Sequence, residues 1–130
     1  VKGWEEAYLI DGCFDQDRML ALIQEVLRDG RRQGFPMTRL WANMEWSLEE
    51  NCPGVEQLVE YESRLNDVLP QYPDVVVCTY QLNRFSAKVV MDVLRIHPLA
   101  IVGGILHHNP FYVTPREFKQ ELMARSRSHM

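Results

Sequence analysis

VVVCTYQLNRFSAKVVMDVLRIHPLAIVGGILHHNPFYVTP, residues 75–115, is the stretch that decides the fold. Val75 to Tyr80 is a short, mostly apolar, β-branched run, as expected of a buried strand. A polar turn follows, and Ser86 is a suitable N-cap for a helix with Val89, Val90, Val93, Leu94 and His97 on one stripe. After His97-Pro98 comes a second apolar strand, Leu99 to Val102, which ends at Gly103-Gly104. Strand, helix and strand in this order make one crossover unit with an organised turn at its carboxyl edge.

The pattern continues on both sides of this unit. Towards the amino end, Val55, Leu58, Val59, Glu62, Leu65 and Leu69 keep helical register, with Glu62 alone breaking the apolar stripe. Pro70 and Pro73 end that helix before the strand begins. Thr38 to Trp46 alternates, with Leu40, Ala42 and Met44 on one face and Arg39, Trp41 and Asn43 on the other, which predicts a strand. Asp15 caps a further helix carrying Met19, Leu20, Leu22, Ile23, Val26 and Leu27, and Gly34 can close it. Ala7 to Ile10 is expected to be a short strand before the Asp11-Gly12 turn. Towards the carboxyl end, Ile105–His108 and Phe111–Val113 suggest an edge hairpin. Thr114-Pro115-Arg116-Glu117 combines a capping box with proline at the first helical position and predicts a last helix from Pro115 to about Ala124.

Strands alternating with helices imply an α/β domain: a mostly parallel sheet with helices on both faces and a short hairpin near the carboxyl end. The 130 residues suffice for one domain that buries roughly two-thirds of its unfolded surface. The expected boundaries are a single domain over 1–125 and a tail over 126–130, whose Ser128-His129-Met130 resembles a vector-derived scar. His129 is therefore left out of every site argument.

Composition narrows the function classes. Apolar residues make up 46% and charged residues 25%, which is ordinary for a globular protein. No run approaches the ~18 apolar residues of a membrane span, and no stretch has the form of a signal peptide. A cytoplasmic protein is expected. Residues 1–60 carry 12 acids and 6 bases, and residues 61–130 carry 6 acids and 8 bases. Neither half has a basic cluster interleaved with aromatics, so direct nucleic-acid binding is not expected. Cys13, Cys52 and Cys78 lack chelating spacing and are expected to be structural thiols. His107 and His108 are adjacent, so in a strand they face opposite ways. No metal and no cofactor are expected.

In an open α/β sheet, ligands bind beyond the carboxyl ends of the strands. Glu45-Trp46, Tyr80 with Arg84, and Gly103-Gly104 all fall there. Glu45 offers a carboxylate, Trp46 an apolar wall, Tyr80 a wall with a hydroxyl, and Arg84 a planar cation. The glycines would allow close approach to the backbone. Trp46 and Tyr80 are expected to face one cleft with Arg84 at its rim. Glu62 lies on the core-facing side of its helix, where Arg39 or Arg84 could partner it. His97 is expected at the opposite edge, capping its own helix. Motifs such as GxSxG, HExxH or GxxxxGK[ST] do not occur, so no catalytic residue is assigned.

Several separated motifs resemble the MEDS sensory domain (methanogen/methylotroph, DcmR-type). They are Gly12-Cys13-Phe14-Asp15 leading into Met19-Leu20, Met44 with Trp46, and Tyr61-Glu62 with Leu65-Asn66. The resemblance is firmest in Cys78-Thr79-Tyr80, Arg84-Phe85-Ser86, His97-Pro98, Gly103-Gly104 and Asn109-Pro110-Phe111. It implies a RecA/KaiC-like fold without an intact phosphate loop. It also implies a sensory module for small hydrocarbon derivatives, attached to an output domain or regulator protein. The expected ligand is small and mostly apolar. Relative to the family, an amino-terminal portion is expected to be missing, leaving an open sheet edge that favours a homodimer. The rival readings are a degenerate RecA-like nucleotide-binding switch and an interaction module without a small ligand.

Overall fold

The computed structural model describes residues 1–128. It is a mixed α/β structure of four helices, a two-stranded parallel sheet and a separate antiparallel hairpin. Helix α1 spans Gln16–Arg32 and begins where the Asp15 carboxylate accepts the Arg18 amide hydrogen at 2.9 Å. Its buried face is Met19, Leu20, Ile23 and Leu27, and Arg31 and Arg32 in the last turn complement the negative end of the helix.

Strand β1, Arg39–Asn43, alternates as its sequence predicts, with Leu40 and Ala42 turned inward. It ends earlier than expected. The Asn43 side chain accepts the Glu45 amide hydrogen at 3.1 Å and starts a tight turn over Met44–Leu48. Local side-chain bonding of this kind competes with a strand ladder, and here it tucks Met44 and Trp46 into the core.

Helix α2, Leu58–Val68, is central and packs against α1, against α3 (Ala87–Ile96) and against α4 (Pro115–Ser128). It therefore buries Leu58, Tyr61, Glu62, Ser63 and Leu65. Strand β2, Val75–Thr79, runs parallel to β1 in the register Arg39↔Val75 to Asn43↔Thr79. Ser86 caps α3 by accepting the Val89 amide hydrogen at 3.3 Å. The last carbonyls of α3 are met by side chains. His97 Nδ1 bonds Val93 O at 2.7 Å, Asn66 donates to Ile96 O at 2.7 Å, and Asn109 donates to His97 O at 2.8 Å. The Thr114–Glu117 capping box forms as the sequence predicts, with both reciprocal bonds present. Helix α4 then runs on to Ser128, with Phe118 fully buried and Arg125 forked onto Asp92 at 2.8 and 3.0 Å.

The Ala7–Ile10 strand, the wide parallel sheet and the Phe111–Val113 pairing are corrected. Ala7 to Ile10 is not a strand: Leu9 N–H bonds Trp4 O at 2.7 Å and Gly12 N–H bonds Leu9 O at 3.1 Å. These local bonds leave no free ladder, and the segment instead lays Tyr8 and Leu9 onto the core. The parallel sheet among the described residues is two strands wide, because Leu99–Val102 (β3) does not join it. It pairs antiparallel with Ile105–His108 (β4), in the register Leu99↔His108 to Val102↔Ile105. Gly103 and Gly104 are the turn, with φ of 58° and 77°. A two-residue loop with both φ positive suits the twist of adjacent strands and selects a tight hairpin, so Phe111–Val113 is not the partner. Residues 126–128 form the end of α4, and residues 129 and 130 lie outside the described residues.

Candidate functional site

Two features meet near the carboxyl end of the parallel pair. The outer one is an ion pair across the two strands. Arg84, in the turn after β2, reaches Glu45, in the turn after β1, at 3.1 Å. The arginine side chain is 53% exposed and the carboxylate 17%. The pair therefore sits at the surface, where such a contact is worth about 0–1 kcal/mol.

Beneath lies an aromatic nest. Trp46 stacks on Tyr8 with centroids 4.6 Å apart and lies 4.5 Å from Phe14. Tyr61 meets both Tyr8 and Phe14 edge-on. Tyr80 packs edge-on against Phe85 at 5.1 Å and His97 at 6.4 Å. The Tyr61 hydroxyl is buried beside that of Tyr8, with which it shares a hydrogen bond. Trp46 Nε1 is buried without a partner, which costs about 1–3 kcal/mol relative to a satisfied donor.

A buried polar knot adjoins the nest. Glu62 is only 1% exposed at its side chain. The Tyr80 hydroxyl donates to Glu62 Oε2, and His97 Nε2 stands 3.7 Å from the same oxygen. The Cys78 thiol also hydrogen-bonds to the Glu62 carboxylate. Burial first, and the Glu62 carboxylate second, push the Cys78 thiol and the Tyr80 hydroxyl well above their ordinary pKa values. Burial chiefly does the same to Tyr61, helped by Tyr8, Cys78 and Glu62. The knot therefore holds its phenols and thiol protonated at neutral pH.

The residues singled out from sequence divide accordingly. Glu45 and Arg84 are brought together, and Trp46 and Tyr80 belong to one apolar cluster with different ring neighbours. Gly103 and Gly104 turn the separate hairpin, with open space around them. The partners of Glu62 are Tyr80 and His97, not Arg39 or Arg84. His97 does bond its own helix end, but its ring also reaches this knot. Sequence spacing gave no signal for the meeting of Glu62, Cys78 and His97. The only hint was an acidic residue in an apolar stripe. Two surface grooves, of about 400 and 540 Å³, lie along α1–α2 and α2–α4 and are lined by none of these residues.

With this geometry in view, comparison with known proteins is specific. The model of the MEDS family, the methanogen/methylotroph, DcmR sensory domain, matches residues 2–98, and the chain belongs to that family. It is also 30% identical over 80 residues to the transcriptional repressor DcmR of Methylorubrum extorquens (strain DSM 6343 / CIP 106787 / DM4), an alignment covering 61% of this chain and 30% of the repressor. The chain thus matches less than a third of that relative's length. No solved structure matches it. A sensory or regulatory role follows from the family. No helix among the described residues is long and apolar enough to cross a membrane.

Proposed function

We propose that the chain is a cytoplasmic small-molecule sensor that regulates an output domain or a transcriptional partner. Its ligand is small and mostly apolar, a hydrocarbon derivative with one polar group. The observation that carries this reading is Trp46 Nε1, a buried indole donor without a hydrogen-bond partner inside an aromatic nest. A ligand bringing an acceptor there gives the indole N–H the hydrogen bond that the protein alone leaves unmade. Glu45 and Arg84 form the mouth, with Tyr80 beneath. Gly103 and Gly104 join the site only if the hairpin folds towards it.

Native mass spectrometry of freshly purified protein, followed by melting curves with a panel of short hydrocarbon derivatives bearing one polar group, tests the proposal. A binder at about 100 times its Kd adds ~2.7 kcal/mol of stability and raises the melting temperature by several degrees. Arg84→Ala should weaken that binder about tenfold while changing the stability of the free protein by less than ~1 kcal/mol. A flat panel together with ligand-free native spectra would count against the reading.

The finer architecture belongs to the same proposal: β1 and β2 are two strands of a wider RecA/KaiC-like sheet. So does the partner. Every residue of β4, and Leu99, Ile101 and Val102 of β3, is exposed. Ile101, Val102, Ile105 and Leu106 each show 60% or more of their surface. An apolar edge of this kind invites strand pairing, and a hairpin edge meeting its own copy about a two-fold axis is self-complementary. A homodimer is the expected species in sedimentation at low micromolar concentration, and Leu106→Lys should convert it to monomer. A monomeric parent protein would rule the interface out.

A further inference from the structure

We propose that Glu62, Cys78 and His97 form a three-ligand site for a borderline-soft divalent cation of the zinc type, with the Tyr80 hydroxyl beside it and one coordination position open. The inference is independent of the small-molecule reading. It departs from the sequence expectation, because the three residues stand on different elements and share no chelating spacing. Glu62 projects from α2, Cys78 lies in β2, and His97 follows α3.

Three observations carry it. The first is proximity: one donor atom from each residue lies within 4.8 Å of the others. Bond lengths of about 2.0–2.3 Å place the ligand atoms of one tetrahedral zinc roughly 3.3–3.8 Å apart. For the nitrogen–oxygen pair the expected separation is about 3.3–3.5 Å, and His97 Nε2 stands 3.7 Å from Glu62 Oε2, so the three donors must draw together by a few tenths of an ångström or more to hold one ion.

The second is the orientation of the imidazole. Its Nδ1 lies 2.7 Å from the Val93 carbonyl oxygen. A carbonyl only accepts, so Nδ1 carries the proton and Nε2 is the atom aimed at the carboxylate. A histidine that ligates a metal characteristically fixes its other ring nitrogen on a backbone carbonyl in this way. The third is the depth of the carboxylate, whose side chain is 1% exposed while its near neighbours, Cys78, Tyr80 and His97, include no arginine or lysine. A carboxylate at this depth is costly unless paired or coordinated.

The donor set indicates the class of ion. The Cys78 thiol, protonated in the free protein, gives up its proton to solvent as the ion binds, and one thiolate sulfur, one imidazole nitrogen and one carboxylate oxygen suit zinc or cobalt rather than magnesium or calcium, which require oxygen cages. Access is from the side of His97, whose side chain is 26% exposed.

The test uses the whole chain carrying Cys13→Ser and Cys52→Ser, in which Cys78 is the sole thiol. Titrated with cobalt(II), this variant should bind one equivalent. A thiolate-to-cobalt charge-transfer band should appear in the near ultraviolet, together with the visible bands of a tetrahedral ion. Zinc(II) should abolish both at one equivalent, and His97→Gln should lower the cobalt affinity by at least about tenfold. A folded variant without the charge-transfer band, or a band that survives Cys78→Ser, overturns the proposal. Should the double substitution not fold, X-ray absorption of the unaltered chain with one equivalent of zinc decides instead. One sulfur among nitrogen and oxygen neighbours supports the site, and a shell without sulfur refutes it.

Discussion

Replacing Trp46 with alanine is expected to remove about 3–5 kcal/mol of stability, the largest loss from any single truncation near the site. The indole is fully buried, stacked on Tyr8 at an interplanar angle of 10° and tilted against Phe14. Truncation discards both contacts and leaves a cavity that the rigid neighbours cannot fill. Since a domain of this kind has ~5–15 kcal/mol in all, the variant should be largely unfolded at the parent's melting temperature less ten degrees or so. Trp46→Phe keeps an apolar ring and should lose distinctly less. Urea titrations followed by far-ultraviolet circular dichroism measure both. A loss below ~1 kcal/mol for the alanine variant would show that the nest is not a packed core. The same experiment bears on the ligand proposal, because a residue so deeply embedded can contribute its N–H to a ligand but not a movable wall.

Gly54→Ala is expected to be nearly as damaging, by at least about 2 kcal/mol. Gly54 has φ 90°, in the region that side chains avoid, and a Cβ there would overlap the Phe14 carbonyl oxygen. That backbone cannot step aside freely, because Phe14 N–H is bonded to Pro53 O at 2.8 Å and the Phe14 ring is wedged against Trp46 and Tyr61. Gly104→Ala is the natural control. Its φ of 77° is equally left-handed, yet nothing lies within 4 Å of the added carbon. Only the conformational term of about 1 kcal/mol remains. Equal shifts in the melting temperatures of the two variants would mean that the Gly54–Phe14 contact is not held as described.

These contrasts also show which parts of the molecule its sequence made legible. The helices could be read because their signals are local: Asp15, Ser86 and the Thr114–Glu117 box each cap a stripe with helical spacing. β1 and β2 were readable from alternation and from a β-branched run. Ala7–Ile10 failed because four apolar residues fit a strand or a tight turn equally well, and bonds to Trp4 decided between them. The hairpin failed because Gly103-Gly104 was read as a ligand approach, when two adjacent glycines are also a two-residue turn. Glu45 and Arg84, read as lying beyond neighbouring strands, meet there in an ion pair. The Glu62 knot was not visible, because its members come together through long side chains from three elements. Spacing along a chain carries no record of such a meeting.

The last turn of α3 has a wider consequence. Asn109, just beyond β4, holds the carbonyls of Leu94 and His97, and Val113 N–H holds the Arg95 carbonyl. The Arg95 guanidinium in turn grips Glu121 on α4. Hairpin and terminal helix thus share one mooring, a single coil of backbone, and His97 stands at its end with its ring against Glu62 and Tyr80. The surface most open to other molecules takes its position from the turn that carries the most deeply engaged histidine. Interior chemistry and outward display are tied together at that one point, whatever occupies the interior.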